Sequence, residues 1–190
     1  MHMNDWKQYY RATKNRAPRA LLKKTLPFAK KKGKALDLGA GALNDSRFLV
    51  ENGYEVVAVD MNQNIHTYAR NIPSIRVHVS SFNNFPFPKE TFNLVSAQYA
   101  LPFNPPSSFD VVFGKLTKSL KRGGIFTGQF FGSRDSWSKN KNMTFHSEES
   151  IKNLLEQFTI IHLREKKKFG KTVLGKKKFW HVFDVIARRN

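Results

Sequence analysis

Two glycines one residue apart, closing a short apolar run, most constrain what this chain can fold into. Lys34-Ala35-Leu36-Asp37-Leu38-Gly39-Ala40-Gly41 reads as a buried strand that stops at a glycine turn. Asp45 to Asn52 then has helical character and ends at Gly53. Tyr54-Glu55-Val56-Val57-Ala58-Val59-Asp60 follows as a β-branched strand ending in an acid, 21 residues after Gly39. Strand, glycine turn, helix and acid-tipped strand make the nucleoside-binding half of a doubly wound α/β sheet. The glycines let backbone approach a ligand where a Cβ would collide. The carboxylate of Asp60 can accept bonds from both ribose hydroxyls.

Two ligand classes compete for such a turn. A nicotinamide dinucleotide wants Gly-x-Gly-x-x-Gly, so that its pyrophosphate sits at the helix N-terminus. Here the residue three after Gly41 is Asn44, and Asp45 puts a negative charge where the pyrophosphate would go. Asp37, just before the turn, suits a cationic ligand such as the amino group of S-adenosylmethionine (SAM). SAM is therefore the expected cofactor.

The 190 residues, 40% of them hydrophobic, suffice for one domain with a proper core. No apolar run approaches the roughly 20 residues of a membrane span, and the polar, aromatic N-terminus is not a secretory signal. The absence of cysteine excludes disulfides, thiolate nucleophiles and cysteine metal sites, and fits a cytoplasmic protein. The net charge of +19 is unevenly placed. Residues 1–34 hold 11 Lys/Arg against Asp5 alone, and residues 164–178 hold 8 against Glu165 alone, so the body between them is nearly neutral. Such basic ends suit a nucleic acid or an acidic surface. They suit solvated lysine-rich faces better, because lysine dominates and few aromatics interleave.

Along the chain, helical spacing puts Trp6 and Tyr10 on one face of an N-terminal segment. That arm either staples to the domain or closes over a cofactor, with an arginine meeting its carboxylate. Pro18 can sit in the first turn of a helix through Leu21, Leu22 and Leu26, which Pro27 should end or kink. A helix is expected over Asn62 to Asn71, and strands over 75–79, 92–98 and 125–131. Ser81 and Phe82, after the third strand, pair a polar with an apolar residue suited to adenine. Tyr99 to Phe103 would lie at the carboxyl edge of the sheet, where ligands bind. Asn104-Pro105-Pro106-Ser107 is best read as prolines at the start of a helix over 110–120 rather than as the Asn-Pro-Pro-aromatic motif of amino-group methyltransferases. Lys121 to Gly124 should be a turn, and Ser147 a helix cap. Two strands, 158–164 and 179–188, would finish the chain, joined by a lysine-rich connection turning at Gly170 and Gly175.

The six histidines show no metal-ligand spacing, and no nucleophile elbow or phosphate-binding Gly-Lys-Ser/Thr loop occurs. His181, between aromatics on the last strand, is the exception to consider, although that setting also suits a structural role. Methyl transfer asks little of side chains, because the sulfonium already activates the methyl group and the protein mainly aligns the acceptor.

The chain resembles small bacterial class I SAM-dependent methyltransferases, of the branch that includes the tellurite-resistance methyltransferases. The resemblance rests on Asp5-Trp6 with Tyr9-Tyr10, Arg16-Ala17-Pro18-Arg19, Leu36-Asp37-Leu38-Gly39-Ala40-Gly41, and Tyr99-Ala100-Leu101-Pro102-Phe103. It extends through Gly128-Gln129-Phe130-Phe131-Gly132, Arg134-Asp135-Ser136-Trp137, Met143-Thr144-Phe145-His146, and Trp180-His181-Val182-Phe183 with Ile186-Ala187-Arg188. It implies a seven-stranded sheet with helices on both faces, six strands parallel and the last antiparallel. One domain is expected over 1–190, with an N-terminal arm and helix (1–33), a SAM-binding core (34–157) and a C-terminal strand pair (158–190). The resemblance implies that Gly39, Ala40 and Gly41, with Asp37, lie under the methionine and ribose and that Asp60 takes the ribose hydroxyls. Met61, Ser81 and Phe82 would frame adenine, Gln98 and Tyr99 would sit near the methionine half, and Arg16 would meet the carboxylate. Leu43 departs from the usual third glycine of the turn, and Ser81 stands where an acid is common.

The expected activity is methyl transfer from SAM to a small molecule, in a pocket of Tyr10, Tyr99, Phe131, Trp137 and His181. Tyr10 and His181 are the candidate catalytic groups, and no metal or membrane is expected. The rival readings are an RNA methyltransferase that uses the basic ends as a backbone track, and a non-catalytic SAM- or nucleic-acid-binding module.

Overall fold

Ala35, Leu36 and Leu38 are almost wholly buried because their strand lies in the middle of a sheet covered on both faces. The computed structural model describes residues 3–190. Helices α1 (Met3–Thr13) and α2 (Ala20–Thr25) lead into β1 (Lys34–Leu38), α3 (Asn44–Glu51), β2 (Glu55–Asp60), α4 (Ile65–Ala69) and β3 (Ile75–Val79). Then come β4 (Phe92–Ala97), α5 (Pro106–Ser119), β5 (Leu120–Gly132), β6 (Phe145–His146), α6 (Glu148–Leu154), β7 (Phe158–Lys171) and β8 (Lys177–Arg189).

The sheet order is β3-β2-β1-β4-β5-β8-β7. The first five strands are parallel, and β8 runs antiparallel to both β5 and β7. Six long strands therefore share one direction and the last opposes them, as expected. The two-residue β6, which pairs in parallel with Phe131 and Gly132, was not anticipated. The order reverses at β1–β4, so the carboxyl ends of these strands flank the crevice where doubly wound sheets bind ligands.

Alternation along the strands divides the core between two faces. Leu36, Leu38, Phe126, Phe130, Phe183 and Val185 pack with Phe109, Phe113 and Leu116 of α5 on one face. Ala35, Leu94, Ile125 and Ile186 pack with Leu21 and Leu22 of α2 and Leu49 of α3 on the other. Pro27 ends α2 in a single 3-10 turn, Leu26–Phe28. Ser147 caps α6, its Oγ accepting from Ser150 N at 3.1 Å.

Several boundaries differ from expectation. The helix expected over 62–71 is only Ile65–Ala69, since the side chains of Asp60 and Asn62 turn the chain by accepting from the backbone amides of Asn62 and Asn64. Pro105 and Pro106 do start α5, four residues ahead of the expected Asp110. Residues 121–124 form an irregularity inside β5 rather than a turn before it: pairing to β4 shifts between Phe92–Leu120 and Leu94–Ile125. Gly170 is no turn residue. It lies in β7 opposite Lys178, and only Gly175 (φ +82°) turns the hairpin. The arm is longer than expected because the lysine-rich residues Lys166 to Lys171 pair fully with β8.

Candidate functional site

At the end of β1 the chain reverses through Gly39 and Gly41, both left-handed (φ +74° and +57°). The amides of Gly39 and Ala40 both donate to the carbonyl of Val59, which ties the turn to the end of β2. Leu43, in the place of a third glycine, is also left-handed (φ +62°) and wholly buried. Packing against Ala58, Ile65 and Ile72 offsets a conformational cost of about 1–2 kcal/mol.

Asp60 stands beside this turn. Its Oδ2 accepts from Gly41 N (2.8 Å), and its Oδ1 accepts from Asn62 N (2.9 Å) and from the hydroxyl of Tyr10 (2.8 Å). A Cβ built on Gly41 would meet the Tyr10 ring at 3.5 Å. Helix α1 thus lays Tyr10 across the glycine turn, and Trp6 stacks on it at 6.1 Å. Burial, then the charge of Asp60, pushes the Tyr10 phenol far above its ordinary value. Such a group does not act as a base near neutral pH, so the expectation that Tyr10 is catalytic is replaced by a contact with the acid.

Asp37 and Asp45 lie behind the turn, both buried. Asp37 accepts from Ser46 Oγ at 2.5 Å and faces α3 rather than the crevice. Burial, then the neighbouring Asp45 charge, raises its pKa to about 7. Asp45 accepts from Arg19 N (2.7 Å) and pairs with Arg16 (3.4 Å), so the arginine expected on a ligand carboxylate here neutralises a protein one. A carboxyl whose folded pKa lies above its unfolded value holds its proton in the folded state, so its stabilising contribution is lost as pH rises from about 4 to 7. Asp37→Asn keeps the bond from Ser46 and removes the charge. Its urea stability relative to the parent is expected to improve by on the order of 2 kcal/mol between pH 5 and pH 8. Equal differences at the two pH values would contradict this.

On the far side of the turn, a Cβ on Gly39 would sit 3.6 Å from the ring of Phe82. Phe82 and Ser81 are half-buried there, while Met61 is 72% exposed and frames nothing in this conformation. Gln98 and Gln129 join β4 to β5, Gln129 Nε2 donating to Gln98 Oε1 (3.2 Å). Gln129 Oε1 accepts from Tyr99 N (3.0 Å), which holds Tyr99 at φ +58°. That turn aims the Tyr99 ring along the carboxyl edge, where the Arg19 guanidinium lies 4.7 Å from its centroid.

The expected pocket is assembled in part. Tyr99, Phe131 and Trp137 come together, with Tyr99–Phe131 at 6.2 Å and Phe131–Trp137 at 6.0 Å. Phe103 and Trp180 complete an aromatic box, and Trp6 reaches it through Phe103 (5.1 Å). His181 does not join the box. Neighbouring strand residues face opposite ways, and its ring covers Gly132 on the other face of the sheet. There Nδ1 accepts from Arg134 N (3.1 Å) and Nε2–H donates to Glu165 (2.7 Å), so both ring nitrogens are committed. The catalytic role expected of His181 gives way to a structural one.

Sequence reasoning missed Lys178 and Asp135. The ammonium of Lys178 is buried over the rings of Trp137 (3.9 Å), Trp180 (4.4 Å) and Phe131 (5.1 Å), and it bonds to Asp135. Asp135 also accepts from Trp137 N (3.0 Å) and His181 N (3.1 Å). Burial lowers the Lys178 pKa to about 7. The available hint was the strand period, which puts Lys178 and Trp180 on one face. Among the described residues, no group of three or more His, Asp or Glu could hold a metal ion. Likewise, no described helix is long and apolar enough to cross a membrane.

Comparison with known proteins agrees with this geometry. Residues 35–124 match the family described as "Methyltransferase domain". No curated protein gives a significant sequence match. Among solved structures, the chain is similar to 1,6-didemethyltoxoflavin-N1-methyltransferase of Burkholderia thailandensis, solved with 1,6-didemethyltoxoflavin and S-adenosylhomocysteine. The TM-score is 0.75 at 18% identity, over 98% of this chain and 86% of that one. TehB from Haemophilus influenzae gives 0.73 at 16% identity, over 90% of this chain and 61% of its own. Geranyl diphosphate C-methyltransferase from Streptomyces coelicolor, solved with S-adenosylhomocysteine, gives 0.68 at 14% identity, over 90% and 77%. Residues 35–124 thus match a methyltransferase model, and the chain as a whole has the fold that these methyltransferase structures share.

Proposed function

We propose that the protein transfers a methyl group from SAM to a small, flat acceptor held in the aromatic box beside Tyr99. The observation that carries this reading is the contact at Asp60. A buried carboxylate at the tip of β2, backed by a glycine amide, already holds a hydroxyl, which is the chemistry a ribose presents. The crevice fits the cofactor in other respects. Gly41 brings its backbone to within reach of a ring, and Asn62 Nδ2 and Arg16 Nε are buried beside it without partners.

Asp60 would hold the ribose hydroxyls, with Gly39, Ala40 and Gly41 beneath the ribose and methionine. Ser81 and Phe82 would take the adenine, and Gln98 and Tyr99 would border the methionine. Arg16 would reach the carboxylate only by loosening its pair with Asp45. When bound, SAM supplies a methyl group already activated by positive sulfur. The chain's own residues then orient the acceptor and exclude water. The box does both, with five rings crowded around the end of β5 and no exposed carboxylate among them. The Tyr10 hydroxyl must release Asp60 for a ribose hydroxyl to take its place.

Two of the similar structures were solved with small molecules, 1,6-didemethyltoxoflavin and geranyl diphosphate, which supports a small-molecule acceptor here. The lysines of residues 30–34 lie at the opposite edge of the sheet and do not line the box, which disfavours an RNA acceptor. A cytoplasmic, bacterial setting and a single domain over 1–190 belong to the same reading. Calorimetry with S-adenosylhomocysteine and with a nicotinamide dinucleotide tests the cofactor. Heat with the first and none with the second is expected, and the reverse would overturn the proposal. Radiolabelled methyl transfer to a panel of heteroaromatic amines and phenols tests the acceptor.

A further inference from the structure

The amino edge of the sheet, opposite the crevice, gathers basic residues from segments far apart in sequence. Lys31, Lys32 and Lys34 come from the approach to β1, Lys121 and Arg122 from the irregular start of β5, and Arg188 from the end of β8. They line two adjoining hollows of about 720 and 220 Å³ that share Lys31 and Asn93, and so form one open groove. Its floor is built rather than incidental. Gly33 (φ +145°) packs so close to Asn93 that a Cβ there would lie 2.5 Å from Asn93 Oδ1, which also accepts from Lys121 Nζ at 3.4 Å.

The charge balance in the groove is one-sided. Its two acids are Glu55 and Glu90, and Glu90 is engaged by Arg189 at 3.5 Å. Among the described residues, Lys30, Lys31, Lys32, Lys34, Lys121 and Arg122 make no ion pair. A continuous hollow rimmed by unpaired cations suits a linear polyanion better than a compact one. Phe28 is the one ring in its lining, so the groove offers phosphate contacts with little means of reading bases. We infer that this groove binds single-stranded RNA through its phosphodiester backbone, without sequence preference. Such a strand is not the methyl acceptor: β1 alone separates the groove from the crevice by five residues, roughly 13–17 Å at the rise of a strand.

Fluorescence anisotropy with a labelled 15-nucleotide oligouridylate, in the absence of SAM, tests the inference. It is therefore independent of the proposed methyl transfer. Four to six phosphate contacts would weaken binding by about 50- to 300-fold between 50 and 200 mM salt. Lys31→Glu with Lys121→Glu should abolish the binding. The milder Lys31→Gln with Lys121→Gln should lower the log–log salt slope by about 1.4. The matched pair Lys168→Glu with Lys171→Glu, on the exposed hairpin, should change the slope by less than about 0.5 if the groove is the site. Circular dichroism melts establish that each variant is folded. No binding at 50 mM salt would overturn the inference, and so would equal losses in the groove and hairpin variants. Displacement by tripolyphosphate at equal phosphate concentration would do the same, because it would make this a compact-anion site.

Discussion

Asp60→Ala is expected to weaken binding of S-adenosylhomocysteine at least a hundredfold, measured by calorimetry. A carboxylate accepting from two ribose hydroxyls makes two charge-assisted bonds, each contributing about 1.5–3 kcal/mol. Asp60 also accepts from Gly41 and Asn62, so the alanine variant loosens the turn as well as losing the ribose. Asp60→Asn fills the same space and its amide oxygen keeps one of the two backbone bonds, while its NH2 faces the other amide, so it should lose less stability than the alanine variant. It should still lose about tenfold in affinity. Tyr10→Phe should move the other way. Removing the hydroxyl that competes for Oδ1 should tighten binding by about three- to tenfold, the net value of one hydrogen bond. Opposite signs at two residues in contact are hard to obtain from a general loss of stability. Unchanged affinity in Asp60→Ala would show that the acid does not hold the ribose.

The turn and its acid were legible because their chemistry is local: a strand, two glycines and the next strand lie within 27 residues, from Lys34 to Asp60. The parallel order of the sheet was legible for a related reason, since strands alternating with helices leave few ways to connect. What escaped were the long-range partners. Helical spacing puts Trp6 and Tyr10 on one face, but says nothing of Asp60, 50 residues from Tyr10, receiving the phenol. Arg16 carries the right charge for a ligand carboxylate, yet Asp45 is nearer. His181 and Trp180 are neighbours in sequence and face opposite sides of the sheet. Choosing between them required knowing which face carries Phe131, and its pairing with Val182 settles that. The basic ends read as two separate runs. Folding instead joins Lys31 to Lys121 and Arg188 and leaves much of the second run on the hairpin.

The largest effect on stability is expected at Asp135, and it bears on the box itself. Asp135→Ala would leave the Lys178 amine wholly enclosed by Trp137, Trp180 and Phe131 with no carboxylate, a loss of about 3–5 kcal/mol. Lys178→Met should cost less, since Asp135 would still accept from the amides of Trp137 and His181 while the thioether filled the space of the stem. The double variant Asp135→Asn with Lys178→Met should fall nearer the parent than Asp135→Ala does. Urea unfolding followed by tryptophan emission reads both stability and position, because two of the three tryptophans wall the box. In Asp135→Ala the native emission should shift to the red as Trp137 leaves. The loop carrying it is held on β8 by Asp135 and by Ser136, which donates to Phe179 O (3.1 Å) and accepts from Phe179 N (2.9 Å). Cofactor affinity should change little, because Asp60 and the glycine turn lie beyond the box. Acceptor turnover should collapse, because the loop supplies one wall. A variant that keeps its emission maximum and its urea midpoint would show that the buried pair neither anchors this loop nor shapes the space beside Tyr99.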